Sequence, residues 1–220
     1  MLHFDPQNPY PLLLPGVASY SEDQAHAAAV DHWLGLETGR IEAELAGHAR
    51  RADQQLWIGL PVQAMLTPYT EFRAILDRLG PLPGQIIVDL GAGYGRMGFV
   101  IARHHPEVRF MGYEYVSERV RAGQDRLAAS GAPGEIRLIE ADLAAPDFSP
   151  VAADFYFLYD YGTGDAIEKT LEDLRRIALT RPITVVGRGR ASRDRIERGQ
   201  PWLSQVHPPE HCGHYSIYRS

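Results

Sequence analysis

The sequence predicts an α/β protein, with a mostly parallel sheet carrying helices on both faces, preceded by a helical N-terminal region. Three observations predict it. Hydrophobic spacing up to residue 80 is helical. From residue 85, short apolar runs alternate with amphipathic stretches, the pattern of a parallel sheet crossed by helices. One of those runs, IIVDL, feeds straight into GAGYG, a glycine loop of the kind that joins strand to helix where a ligand approaches the backbone.

Each element follows in order. Residues 1–20 are proline-rich and are expected as an extended arm. Ser21 is expected to cap a helix over EDQAHAAAVDHWLGL, with two acids in its first turn. Helical spacing continues through ETGRIEAELAGHARR. A third helix is predicted over PYTEFRAILDRL, opened by Pro68 and closed by Gly80-Pro81. QIIVDL is too short for a core helix and reads as the first strand. RMGFVIARHH follows as a helix, VRFMGYEY as a strand, SERVRAGQDRLAAS as a helix and EIRLIEADL as a third strand. ADFYFLYD is a fourth strand, rich in aromatic residues. In GDAIEKTLEDLRRIA, Ile167, Leu171, Leu174 and Ile177 share one helical face. PITVVG is a fifth strand. Two further strands are expected in the final segment, the last of them antiparallel. The organisation is then an arm and helical cap, residues 1–80, and an α/β domain, residues 81–220.

Composition narrows the function. The chain has 220 residues, 22 basic against 28 acidic, for a net charge of −6. That balance gives no reason to expect a nucleic-acid or anionic-membrane binder. The single cysteine, Cys212, excludes an intrachain disulfide and a cysteine zinc cluster. No apolar run reaches the ~20 residues of a membrane span. The opening MLHFDPQNPYPLLLPG lacks the basic start of a signal peptide. A reducing, cytoplasmic setting is expected.

The glycine loop fits two templates. Gly93-Tyr94-Gly95-Arg96-Met97-Gly98 matches G-x-G-x-x-G, the dinucleotide fingerprint. Asp89-Leu90-Gly91-Ala92-Gly93-Tyr94-Gly95 matches D-L-G-x-G-x-G, the first motif of class I S-adenosylmethionine (SAM) methyltransferases. Glu114, 21 residues beyond Gly93, suits ribose hydroxyls in either case. Three features favour SAM. Asp89 beside the ligand would attract a sulfonium and ammonium and repel a pyrophosphate. The first glycine after the strand is Gly91, where a dinucleotide fold would need Gly93. No second mononucleotide-binding half of normal length follows.

On these residues the chain resembles the class I SAM-dependent methyltransferases over about residues 84–187. The resemblance implies a seven-stranded Rossmann-like sheet with an antiparallel last strand, and SAM at the carboxyl ends of the first two strands. It implies that Gly91, Ala92 and Gly93 approach the cofactor, that Glu114 beside Tyr115 holds the ribose, and that Asp142 beside Leu143 meets the adenine amine. Tyr159-Asp160-Tyr161-Gly162 falls where the family's fourth motif lines the transfer site, so Asp160 and Tyr161 are the expected catalytic pair, contacting the acceptor or the amino-acid end of SAM. LTPYTEFRAIL, the glycine loop and YEY are also similar to non-SET protein-lysine methyltransferases. That similarity implies a protein lysine nitrogen as acceptor and Tyr69 closing over SAM. Small-molecule N- or O-methylation and an inactive SAM-binding module are the alternatives. Methyl transfer is an in-line displacement whose demand on the protein is mainly positioning. It requires no metal, and none is expected.

Other residues have simpler readings. Tyr156 and Phe157 are expected in the core. His104 and His105 suit the negative end of a helix. His207, His211, Cys212 and His214 cluster near the terminus, but Pro208 and Pro209 interrupt them. Arg188, Arg190, Arg193, Arg195 and Arg198 are expected as a solvated helix face paired with Asp194 and Glu197. Trp33 and Trp57 are expected to pack in the cap, and Arg96 is a candidate for the SAM carboxylate.

Overall fold

The computed structural model describes residues 2–14, 16–47 and 58–220; Trp57 lies outside them. The N-terminal helices are α1 (Tyr20–Leu34), α2 (Thr38–Gly47), the single turn α3 (Val62–Met65) and α4 (Tyr69–Leu79). The α/β part runs β1 (Ile86–Leu90), α5 (Arg96–His104), β2 (Arg109–Glu114), α6 (Ser117–Ala129), β3 (Ile136–Glu140), β4 (Phe155–Tyr159), α7 (Gly164–Ala178), β5 (Thr184–Arg188), α8 (Arg190–Gly199), β6 (Glu210–Cys212) and β7 (Tyr215–Arg219). The sheet order is β3-β2-β1-β4-β5-β7-β6. The first five strands pair in parallel, and β7 pairs antiparallel with both β5 and β6. The predicted α/β class, the strand count and the antiparallel last strand all hold.

Helix ends follow local chemistry. The first helix is capped two residues before the expected Ser21. Ser19 is the cap: its hydroxyl accepts from Glu22 N, and the Glu22 carboxylate accepts from Ser19 N at 2.9 Å. This reciprocal pair satisfies two orphan amides at once. Gly80 closes α4 with φ +56°, donating back to Leu76 O. Within the arm, Tyr10 is buried and stacks on Tyr69 at 5.2 Å between centroids.

Alternation along the strands divides the core. Ile87 and Phe157 face a layer built by the cap helices, α4, α5 and α6. Val88, Leu90, Tyr156 and Leu158 face α7, whose Ile167, Leu171 and Leu174 are buried as the spacing predicted. On α4, Phe72, Ile75 and Leu76 are buried against the first layer, each contributing about 1.5–3 kcal/mol. The cap therefore shares its core with the sheet. Glycine is required where α6 meets the loop after β1: a Cβ on Gly123 would lie 2.4 Å from Tyr94 O. No helix of the described residues is long and apolar enough to cross a membrane.

Candidate active site

Strand order reverses between β1 and β4, and open α/β sheets bind ligands in the crevice at such a switch point. A cavity lies there. Its floor is the glycine loop, tied to β2 by Gly91 N and Ala92 N, which donate to Tyr113 O at 2.9 and 2.8 Å. Gly91 has φ +92°, and a Cβ there would lie 2.8 Å from the Cβ of Tyr161. Only glycine lets the loop turn and the fourth-strand segment close against it.

Glu114 ends β2 at the cavity wall. Its Oε2 accepts from Gly93 N at 2.9 Å and its Oε1 from Val116 N at 3.0 Å. Asp142 follows β3, and its Oδ1 accepts from Ala144 N at 2.9 Å. Gly91, Gly93, Glu114, Tyr115, Asp142, Leu143 and Tyr161, all expected from the sequence, border the one cavity. Gly162 of the expected fourth motif does too, as do residues the sequence did not mark: Ile58, Met65 and Leu66 from the N-terminal region, Val116, Arg119 and Ala144 beside Glu114 and Asp142, and Thr163 and Ala166 around the start of α7. Nothing in the sequence marked Met65 or Leu66, because a roof residue is set by how the cap docks. Tyr159, which opens the expected fourth motif, also borders the cavity.

Five expectations fail on geometry. Tyr69 does not reach the cavity: it is fully buried, donates to Asp31 Oδ1 at 2.9 Å and lies between Tyr10 and the Arg96 guanidinium. Arg96 turns away as well, donating to Asp31 Oδ1 (3.1 Å), Gln63 Oε1 (2.8 Å) and Thr67 O (3.2 Å). Asp89 on β1 and Ala92 within the loop are buried and do not border the cavity. Burial, with the charge of Glu114, holds the Asp89 carboxyl well above the usual carboxylate range.

Asp160 has a different task. Its carboxylate accepts from Ser192 N (2.7 Å) and Ala191 N (3.2 Å), the first-turn amides of α8. Its own N–H donates to Ser192 Oγ at 2.9 Å. Its φ of +34° is a conformation that L residues other than Asn and Asp rarely adopt. Tyr161 stays at the cavity, with its hydroxyl bonded to Thr170 Oγ1. Burial raises its pKa, so it stands as a neutral wall. Tyr159 donates to Ala64 O at 3.1 Å, and the Arg188 guanidinium lies 4.1 Å from its ring centroid.

The arginine run divides. Arg188 is buried and forks onto Glu71, through Nε to Oε1 at 2.8 Å and Nη2 to Oε2 at 3.0 Å. Arg190 and Arg198 are exposed and pair with Asp194. Tyr156 and Phe157 are core. Among the described residues, no group of three or more His, Cys, Asp or Glu side chains could hold a metal ion.

The cavity's chemistry suits SAM. Two carboxylates, Glu114 and Asp142, offer acceptors to a sugar and an adenine amine, while Val116, Leu143 and Ile58 supply apolar walls. Arg119 is the single cation among the described lining residues, and Glu42 already holds it at 2.7 and 2.9 Å. A pyrophosphate would find two anions and no free cation. Residues 87–179 match the family model for a methyltransferase domain. The chain carries a methyltransferase domain. The methyltransferase fold recurs in solved structures. One is an RNA methyltransferase from Salinibacter ruber in complex with S-adenosyl-L-homocysteine, 21% identical, with a TM-score of 0.51 over 70% of this chain and 91% of that one. Another is a precorrin-6y C5,15-methyltransferase from Geobacter metallireducens, 18% identical, with a TM-score of 0.52 over 71% and 89%. At these identities the likeness is one of fold. No curated protein sequence matches the methyltransferase.

Proposed function

We propose that this methyltransferase transfers the methyl group of SAM to a nitrogen of a small, largely apolar acceptor enclosed between the cap, residues 1–80, and the SAM-binding domain, residues 81–220. The observation that carries this reading is the roof. Ile58, Met65 and Leu66 border the same cavity as Gly91 and Glu114. The expected protein-lysine acceptor came with Tyr69 closing over SAM, and Tyr69 donates to Asp31 instead.

SAM, when bound, supplies an electrophilic methyl group on its sulfonium. Glu114 would hold the ribose, Asp142 the adenine amine, and the backbone at Gly91 and Gly93 the rest. The chain's task is then to align and dry the acceptor. Tyr161, Thr163 and Ala166 wall the transfer end, and Tyr159 with Met65 and Leu66 excludes water. Among the described residues this end carries no carboxylate or histidine to act as base. An amine needs none: desolvation lowers its pKa and delivers it neutral, whereas a hydroxyl acceptor would need a base. That contrast favours nitrogen.

Two measurements test the proposal. Thermal unfolding with S-adenosylhomocysteine at 100 times its Kd should gain about 2.7 kcal/mol, and NAD or NADP should add nothing. Release of S-adenosylhomocysteine should then appear with apolar small amines and not with unfolded protein or lysine peptides. Turnover confined to protein acceptors would overturn the small-acceptor reading. Binding of SAM without release on any acceptor would leave a binding module.

A further inference from the structure

Three buried charged side chains meet at the ribose side of the cavity. Glu42, Glu114 and Arg119 are 5%, 6% and 8% exposed. Glu42 comes from α2 of the cap, 77 residues before Arg119. It takes the Arg119 fork through both oxygens, from Nε at 2.7 Å and Nη2 at 2.9 Å, and accepts from Tyr94 OH at 2.8 Å. Arg119 reaches Glu114 only through Nη1, at 3.4 Å. The guanidinium is therefore shared unequally, and the cap holds most of it.

This asymmetry bears on ligand binding. A carboxylate has about four acceptor positions. Glu114 uses one for Gly93 N and one for Val116 N. One of the other two already takes the long 3.4 Å contact from Arg119 Nη1; the pair could receive sugar hydroxyls or a fully forked guanidinium, but not both. Five fixed N–H donors and a permanent charge make arginine a strong competitor for them.

We propose that Glu42 is a positioning residue for the cofactor: by holding Arg119 on the cap it keeps Glu114 open to the vicinal hydroxyls of the ligand's sugar. Without the charge on Glu42, Arg119 turns to Glu114 and closes it. The cap thereby sets cofactor affinity through a residue that borders no ligand. This inference rests on Glu114 as the sugar-binding carboxylate.

The experiment is calorimetric titration of the full chain with S-adenosylhomocysteine and with its 2′,3′-dideoxyribose analogue. Glu42→Gln should weaken S-adenosylhomocysteine about tenfold, the scale of one charge-assisted hydrogen bond, and the analogue less than about twofold. Adding Arg119→Met should restore binding to within about threefold of the parent, because the competitor is gone. A merely structural role predicts the opposite: both ligands weaken together, and the second substitution makes matters worse. Either of those results, or unchanged binding in Glu42→Gln, overturns the proposal. Should the double variant not fold, the two-ligand comparison on Glu42→Gln decides alone. A parent that binds both ligands equally overturns the placement of Glu114 and this inference with it. A parent that binds neither overturns the SAM site as a whole.

Discussion

Arg96, the first residue of α5, is forked onto Asp31 of α1, with both side chains almost wholly buried at 2% and 3% exposure. The pair links the helix that follows the glycine loop to the cap. Asp31 also accepts from Tyr69 OH, and Arg96 also reaches Gln63 and Thr67. One ion pair thus fixes the approach to the roof segment that carries Met65 and Leu66.

Removing one partner leaves the other charge buried. Asp31→Ala should cost about 3–5 kcal/mol, which at roughly 2–4 °C per kcal/mol for a chain of this size lowers Tm by about 10 °C. Replacing both members, Asp31→Leu with Arg96→Met, should recover much of that loss. Thermal unfolding of the two variants checks it. A Tm within about 2 °C of the parent for Asp31→Ala would show that solvent reaches Arg96.

Asp160→Ala should behave as a lost helix cap. Two first-turn amides of α8 lose their acceptor, at a cost of about 1–2 kcal/mol. Turnover per folded molecule should survive, measured as release of S-adenosylhomocysteine. If turnover vanished while Tm stayed put, the carboxylate would belong to the chemistry after all.

Asp89 gives a pH dependence of unusual sign. Its pKa is raised on folding, so the native state binds more protons than the unfolded one, and stability falls as pH rises through the unfolded carboxyl range near 4. Asp89→Asn removes that loss. The variant should be as stable as the parent below about pH 4 and more stable at pH 7. Denaturant titrations at the two pH values test this; a variant weaker at pH 7 would show that the ionised carboxylate is needed.

His104 works in the other direction. Burial, with the nearby Arg73 charge, lowers its pKa from 6.5 to about 4. The imidazole is therefore neutral at the end of α5, where the sequence suggested a cation for the helix dipole. The unfolded chain takes up the proton first, so stability drops as pH falls from about 6.5 toward 4 and is retained above that window. His104→Gln should flatten that part of the pH–stability curve. An unchanged slope would assign the acid sensitivity elsewhere.

Much of the architecture was legible in the residues. Period-2 apolar runs, the spacing of Ile167, Leu171 and Leu174, and the Gly80 stop each express a local rule that the folded chain obeys. The glycine loop and Glu114 were legible for the same reason: a strand, a tight turn and a carboxylate at the next strand's end bring backbone and side chain together over few residues. Asp160 was misread because its neighbours in sequence lie at the site, while its partners, Ala191 and Ser192, come from a helix thirty-odd residues later. Arg96 and Tyr69 were misread because Asp31, which captures both, lies 65 and 38 residues away in the cap.

The sequence by itself determined the α/β class, the glycine loop and the two carboxylates that border the cavity, because short-range geometry dictates them. Only the tertiary structure decided what each buried charge does. A charge removed from water must find a partner, and the docking of α1 and α2 beside α5 and α6 supplied those partners: Asp31 for Arg96, Glu42 for Arg119. The same docking brought Met65 and Leu66 over the loop and turned an open crevice into a roofed cavity. No local pattern encodes that arrangement, since it depends on packing between segments that the chain keeps far apart.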